Sequence, residues 1–234
     1  ADGQRFTIEA KASSGTTGWS AVLERGGLSY SLALSSVSYE SSYERWFMTA
    51  TVPTGTPEEL YDLHVQANGG IDDVTKHSVM VEDAISNDFY FVHITDTHLP
   101  THLFYYESGA DSDTTEMDDL RAVINDINII NPAFVLFTGD VVNEGELEDY
   151  QERRYFTKAK RILGEFDIPV FITAGNHDVG GWDDTPPPDG TARKTWWRFF
   201  GWRYLNDPPT GDNIYTQNYS FDYAHAHFTG IEAY

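Results

Sequence analysis

Six residues in three short bursts carry the chemistry open to this chain: Asp96 and His98 in DTH, Asp140 in GD, and Asn176, His177 and Asp178 in GNHD. They combine hard oxygen donors with imidazoles, and that mixture suits a metal ion. Carboxylates offset the cation's charge, while imidazoles favour a transition metal over calcium. A carboxylate between two ions can bridge them at about 3.5–4 Å. Gly139 and Gly175 stand directly before Asp140 and Asn176, where the missing Cβ lets the backbone turn sharply and come close to an ion or a phosphate. The chain has no cysteine, so any metal must rest on His, Asp, Asn or Glu.

The elements that must position these bursts follow from periodicity. Residues 89–95 (FYFVHIT), 131–138 (NPAFVLFT) and 168–174 (IPVFITA) read as strands. Met117, Leu120, Val123, Ile124 and Ile127 recur at helical spacing between the first two strands, and Phe156, Ala159, Leu163 and Phe166 do so between the second and third. Strand, helix, strand, helix, strand implies a parallel sheet, and ligands bind at the carboxyl ends of such strands. Each burst closes one strand, so the three should converge.

Upstream the period is two. Leu28, Tyr30, Leu32 and Leu34 alternate with small or polar residues, as do Trp46, Met48, Ala50 and Val52, and then Tyr61, Leu63, Val65 and Ala67 before the NGG turn. This predicts an all-β, immunoglobulin-like sandwich over residues 1–86 as an accessory domain, joined near AISNDF to an α/β domain over 87–234. No titratable cluster lies in the first part.

The order Asp-x-His, Gly-Asp, Gly-Asn-His-Asp, each behind a strand, resembles the calcineurin-like metallophosphoesterase family over residues 89–234. NYSFDYAHAHFTGIEAY, from Asn218, is similar to the hairpin that follows Gly-Asn-His-Asp there. The resemblance implies layered β-sheet flanked by helices. It also implies hydrolysis of phosphate mono- or diesters by hydroxide held on two divalent or trivalent transition metal ions (Mn, Fe or Zn). It puts Asp96 and His98 on the first metal, Asp140 between both and Asn176 on the second. His177 would stabilise charge developing on the phosphoryl group or assist the leaving group, with Asp178 orienting His177. Two departures matter. Asn143 occupies the place, three residues after the bridging Asp, where the purple acid phosphatase branch has a tyrosine ligand, which disfavours a purple-type site. The family's later motifs, a lone His after a strand and Gly-His-x-His, do not occur before Tyr234. The expectation is therefore the N-terminal part of a catalytic domain that alone holds metal weakly, turns over little, and self-associates or needs its C-terminal remainder. The competing reading is a binding or scaffold protein that keeps the fold without turnover.

Other signals have plainer readings. His225 and His227 in AHAH could be the missing His-x-His, but fit better as hairpin residues; His93 reads as a satisfied core or supporting histidine, and His64 as a surface residue. The acidic run 107–119 reads as a helix start capped by Asp113. Trp196, Trp197, Phe199 and Phe200 read as a helix packed on the core. A net charge of −22 repels nucleic-acid backbones and anionic membranes, which excludes nucleic acid as a bulk partner. Only five lysines are present, so an anionic phosphate ester would need the local charge of a metal. No apolar run approaches the ~20 residues of a membrane span. Ala1 in place of Met fits removal of a secretory leader, which favours an extracellular or periplasmic setting over the cytoplasm.

Overall fold

The computed structural model describes residues 4–42, 44–99, 115–145, 148, 154–180, 191–200 and 218–232. The expected Asp113 cap lies outside them. The chain divides into two compact units, Ala1–Ile85 and Ser86–Tyr234.

The first unit is a β-sandwich. Strands β1 (Arg5–Ala10), β5 (Arg45–Thr51) and β4 (Ala33–Glu40) form one antiparallel sheet, in the order β1-β5-β4. Strands β3 (Leu28–Ser31), β2 (Ser20–Arg25), β6 (Glu59–Ala67) and β7 (Ile71–Val81) form the other, in the order β3-β2-β6-β7. Alternation sends one face of each strand inward: Ile8, Met48 and Ala50 from the first sheet meet Ala21, Leu23, Tyr61 and Val65 from the second in one buried cluster. Leu28 departs from the expected inward stripe and is 60% exposed, because it opens edge strand β3 directly after the Gly26–Gly27 turn.

In the second unit β8 (Val92–Ile94), β9 (Val135–Thr138) and β10 (Val170–Thr173) pair in parallel, with β9 in the middle. The strands are shorter than the apolar runs that announce them. Pro132, which has no N–H for a ladder, lies just ahead of β9, and Phe89 and Phe91 instead lay their rings against Phe134. Helix α1 (Thr115–Ile130) buries Leu120, Ile124 and Ile127 in the core, and α2 (Tyr155–Leu163) buries Phe156, Ala159 and Ile162. Phe166, counted with α2 from its spacing, lies beyond the helix but is buried in the same core. The short turn α3 (Asn176–Val179) follows β10, and α4 (Thr191–Phe200) packs Trp196 edge-on to Phe156 at 5.8 Å, a core role. The hairpin of β11 (Tyr219–Tyr223) and β12 (Ala226–Gly230) turns at Ala224–His225 and brings the Tyr219 hydroxyl within 3.3 Å of Thr173 Oγ1 at the end of β10. The three parallel strands therefore end side by side at Ile94, Thr138 and Thr173.

Candidate metal centre

The first two strand ends run into loops whose backbone is bent away from ordinary conformations. Asp96, His98 and Asp140 have φ of 56°, 46° and 47°, in the left-handed region that non-glycine residues seldom enter. Left-handed conformations at such residues cost of order 1–3 kcal/mol each and persist only where surroundings over-determine them. Here the surroundings are a zipper of main-chain bonds. The N–H groups of Asp96, His98 and Leu99 donate to the carbonyls of Gly139, Asp140 and Val141, and the Asn143 N–H donates back to Leu99. The Thr97 hydroxyl donates to the Val141 carbonyl as well, at 3.0 Å.

The loop after β10 is pressed onto the same segment. A Cβ on Gly139, whose φ is +94°, would lie 2.6 Å from the Gly175 nitrogen. A Cβ on Gly175 would lie 2.5 Å from the Asp140 nitrogen and would collide with Asp140 Oδ1. The two glycines ahead of the acidic and amide donors are thus required by contact between backbones.

Within this frame one carboxylate has two faces. Asp140 Oδ1 accepts the His177 N–H at 3.0 Å, while Oδ2 lies 3.8 Å from His98 Nε2. Asp96 Oδ1 is also 3.8 Å from His98 Nε2. These gaps are too long for hydrogen bonds. Two donors that share one ion at about 2.1 Å each can be up to about 4.2 Å apart, so the spacing suits ligands of a common metal. Donor atoms of His98, Asp140 and His177 all lie within 4.8 Å of one another, and the two imidazole rings meet edge to face at 4.6 Å. Imidazole nitrogens and a carboxylate oxygen are a donor set that suits a transition metal ion.

The tautomer of His177 is fixed by its neighbour. Nδ1 is 2.7 Å from the Asn143 carbonyl, which can only accept, so Nδ1 carries the proton. The Asp178 carboxylate is fully buried and accepts the backbone N–H groups of Gly175 (2.8 Å), Val142 (3.0 Å) and Val141 (3.3 Å). Asp178 therefore rivets the GNHD turn to the segment after Asp140. Burial raises its pKa to about 7, the three N–H donors work against that, and the charge of Asp140 adds a smaller upward push.

Of the six residues singled out, the structure brings donor atoms of His98, Asp140 and His177 within 4.8 Å of one another, places Asp96 Oδ1 3.8 Å from His98 Nε2, and ties Asp178 to the backbone of the neighbouring loop. Asn176 is half-buried at the first position of α3, next to His177. The remaining histidines stand elsewhere. His227 Nδ1 is 2.7 Å from Asp222 on the exposed hairpin, and His225 is exposed beside Phe89. His93 is exposed, not a core residue, because β8 is an edge strand; its Nε2 is 2.6 Å from Thr138 Oγ1. His64 is no ordinary surface residue: its two nitrogens lie 3.3 Å from Glu24 and 2.5 Å from Asp72, linking β2, β6 and β7. Sequence reading missed the Asn143 carbonyl, since a main-chain oxygen has no residue-type signature.

A parallel sheet whose strand ends deliver Asp-x-His, Gly-Asp and Gly-Asn-His-Asp to one place defines a class, and comparison with known proteins agrees with it. The family model for the calcineurin-like phosphoesterases matches residues 89–233, more than half of the chain. The chain belongs to that family. A solved structure of a purple acid phosphatase from yellow lupin (Lupinus luteus) seeds is similar at 11% identity, with a TM-score of 0.41 over 96% of this chain. The chain spans 42% of the length of that structure. No curated protein matches it.

Proposed function

We propose that the second unit hydrolyses phosphate esters at a dinuclear centre. The observation that carries this is the meeting of His98 Nε2 and Asp140 Oδ2, 3.8 Å apart, with His177 close beside them at adjacent parallel strand ends. His98 and Asp96 would hold one ion, Asn176 the other, and Asp140 both, through oxygens that face different ways. Bound ions supply Lewis acidity toward the phosphoryl oxygens and acidify water near neutral pH. The protein's own part is geometric. The main-chain zipper fixes Asp96, His98 and Asp140, and the Asn143 carbonyl keeps the Nδ1 proton of His177 in place. His177 Nε2 can then meet charge on the phosphoryl group or carry a proton to the leaving oxygen. Small phosphate mono- or diesters are the substrate class, and the ions give a chain of charge −22 the positive field an anion needs.

The reading extends to organisation: residues 1–86 serve as an accessory sandwich and 87–234 as the phosphoesterase part, which self-associates. Two substitutions test the site with Mn²⁺, Fe²⁺ or Zn²⁺ and chromogenic mono- and diesters, measuring bound metal beside turnover. Asp140→Ala should lose metal at both positions and turnover with it. His177→Ala should keep its metal and lose about 10²-fold or more in kcat. Full turnover and two metals in Asp140→Ala would remove Asp140 from the bridge, and metal loss in His177→Ala equal to that of Asp140→Ala would make His177 a ligand.

A further inference from the structure

Asp96 is the least supported of the gathered donors. It lies just beyond edge strand β8, its side chain is 61% exposed, and its backbone is in the left-handed region at φ 56°. A carboxylate so placed samples several rotamers, each of which points its oxygens elsewhere. One neighbour narrows the choice. Thr95 Oγ1 lies 2.6 Å from Asp96 Oδ2 and 3.2 Å from the Thr138 carbonyl. A hydroxyl has one proton, and the shorter bond to a charged acceptor is the stronger. Thr95 therefore donates chiefly to Oδ2, with the Thr138 carbonyl at the end of β9 the weaker, alternative acceptor. Oδ1 is then the oxygen left facing His98 Nε2 at 3.8 Å. A second contact stiffens the same corner, because Thr138 Oγ1 is itself 2.6 Å from His93 Nε2.

We infer that Thr95 is a positioning residue of the metal centre: its hydroxyl holds Oδ2 of Asp96 so that Oδ1 is presented beside His98. The inference rests on the metal-centre reading above. Partners that orient a metal-binding side chain in this way typically contribute 10–100-fold in metal affinity. Valine at position 95 keeps the shape and β-branching of threonine but cannot donate, whereas serine keeps the hydroxyl.

The test is calorimetric titration of the chain with Mn²⁺ alone, with circular dichroism and thermal melting to follow the fold. Thr95→Val should bind Mn²⁺ about 10-fold or more weakly, and Thr95→Ser should stay close to the parent. In the Asp96→Ala background, Thr95→Val should add nothing, because the hydroxyl acts only through that carboxylate. Equal affinity in Thr95→Val, no rescue by serine, or additive losses in the double variant would each overturn the role. Absence of Mn²⁺ binding by the parent chain would overturn the metal-centre reading and the Thr95 role with it, whereas parent binding with an unchanged Thr95→Val overturns only the latter.

Discussion

Replacing Gly175 with alanine is the sharpest probe of how the centre is held. Gly175 has φ −100° and ψ −178°, extended backbone that alanine adopts without strain, so the cost comes from contact alone. The new Cβ would lie 2.5 Å from the Asp140 nitrogen and 2.9 Å from its Cγ, and nearer still to Oδ1. Ordinary carbon contacts begin at about 3.5 Å, so the two loops must separate by about 1 Å. Overpacking of this kind costs about 1–3 kcal/mol, which corresponds to a fall in melting temperature of roughly 2–12 °C for a chain of this size. The stabilisation of about 0.4–1 kcal/mol that alanine gains through the unfolded state is smaller and opposite in sign. A displacement of about 1 Å at Asp140 also disturbs the spacing to His98 and the bond from His177, and misplacement on that scale can cost about 10²-fold in function. Differential scanning calorimetry and Mn²⁺ titration of Gly175→Ala read both effects. A melting temperature that stays or rises, with Mn²⁺ affinity unchanged, would refute the argument that close approach of the two loops sets the site.

Two further outcomes concern the frame of each unit. Glu148 is buried and accepts the N–H of Phe156 (2.5 Å) and of Thr157 (3.2 Å) and the Thr157 hydroxyl (2.6 Å), so it caps α2 where Arg154 supplies no side-chain cap. Glu148→Ala should destabilise the second unit by about 2–4 kcal/mol in urea denaturation, with Glu148→Gln losing less; equal stability of all three would discard the cap. In the sandwich, hydrogen bonds to Asp72 and then to Glu24 raise the pKa of His64 above its ordinary 6.5. The contribution of His64 to stability is fully present below 6.5 and lost as pH rises through the raised folded value, while that of Asp72, whose pKa is lowered from 3.8, is lost only as pH falls through the lowered value. Melting curves of the first unit's transition should thus decline as pH rises from 6.5, and His64→Gln should flatten that decline; a parallel curve in the variant would assign the slope to other groups.

The architecture around the site was readable because its signals are local. The helical recurrence of Leu120, Ile124 and Ile127 and the apolar runs before Asp96, Asp140 and Asn176 reflect which faces the core must bury, and burial follows side-chain period. The same logic gave the alternating strands of the sandwich but not the exposure of Leu28, which depends on being at an edge. Strand ends in a parallel sheet meet at one rim, so residue types and order alone nominated Asp96, His98, Asp140, Asn176, His177 and Asp178 as one group.

What each of them touches was decided by tertiary structure. Asp178 bonds to three backbone N–H groups, and the His177 ring is held by a backbone carbonyl of Asn143. The left-handed turns at Asp96 and His98 are held by carbonyls of a neighbouring loop and that at Asp140 by the N–H of His98, and Gly139 and Gly175 are small because the loops nearly touch. Main-chain donors and acceptors are the same at almost every residue, so sequence names the side chains a site can use. Only the folded chain determines which anonymous backbone groups come within 3 Å of them and which oxygen or nitrogen is thereby left for chemistry.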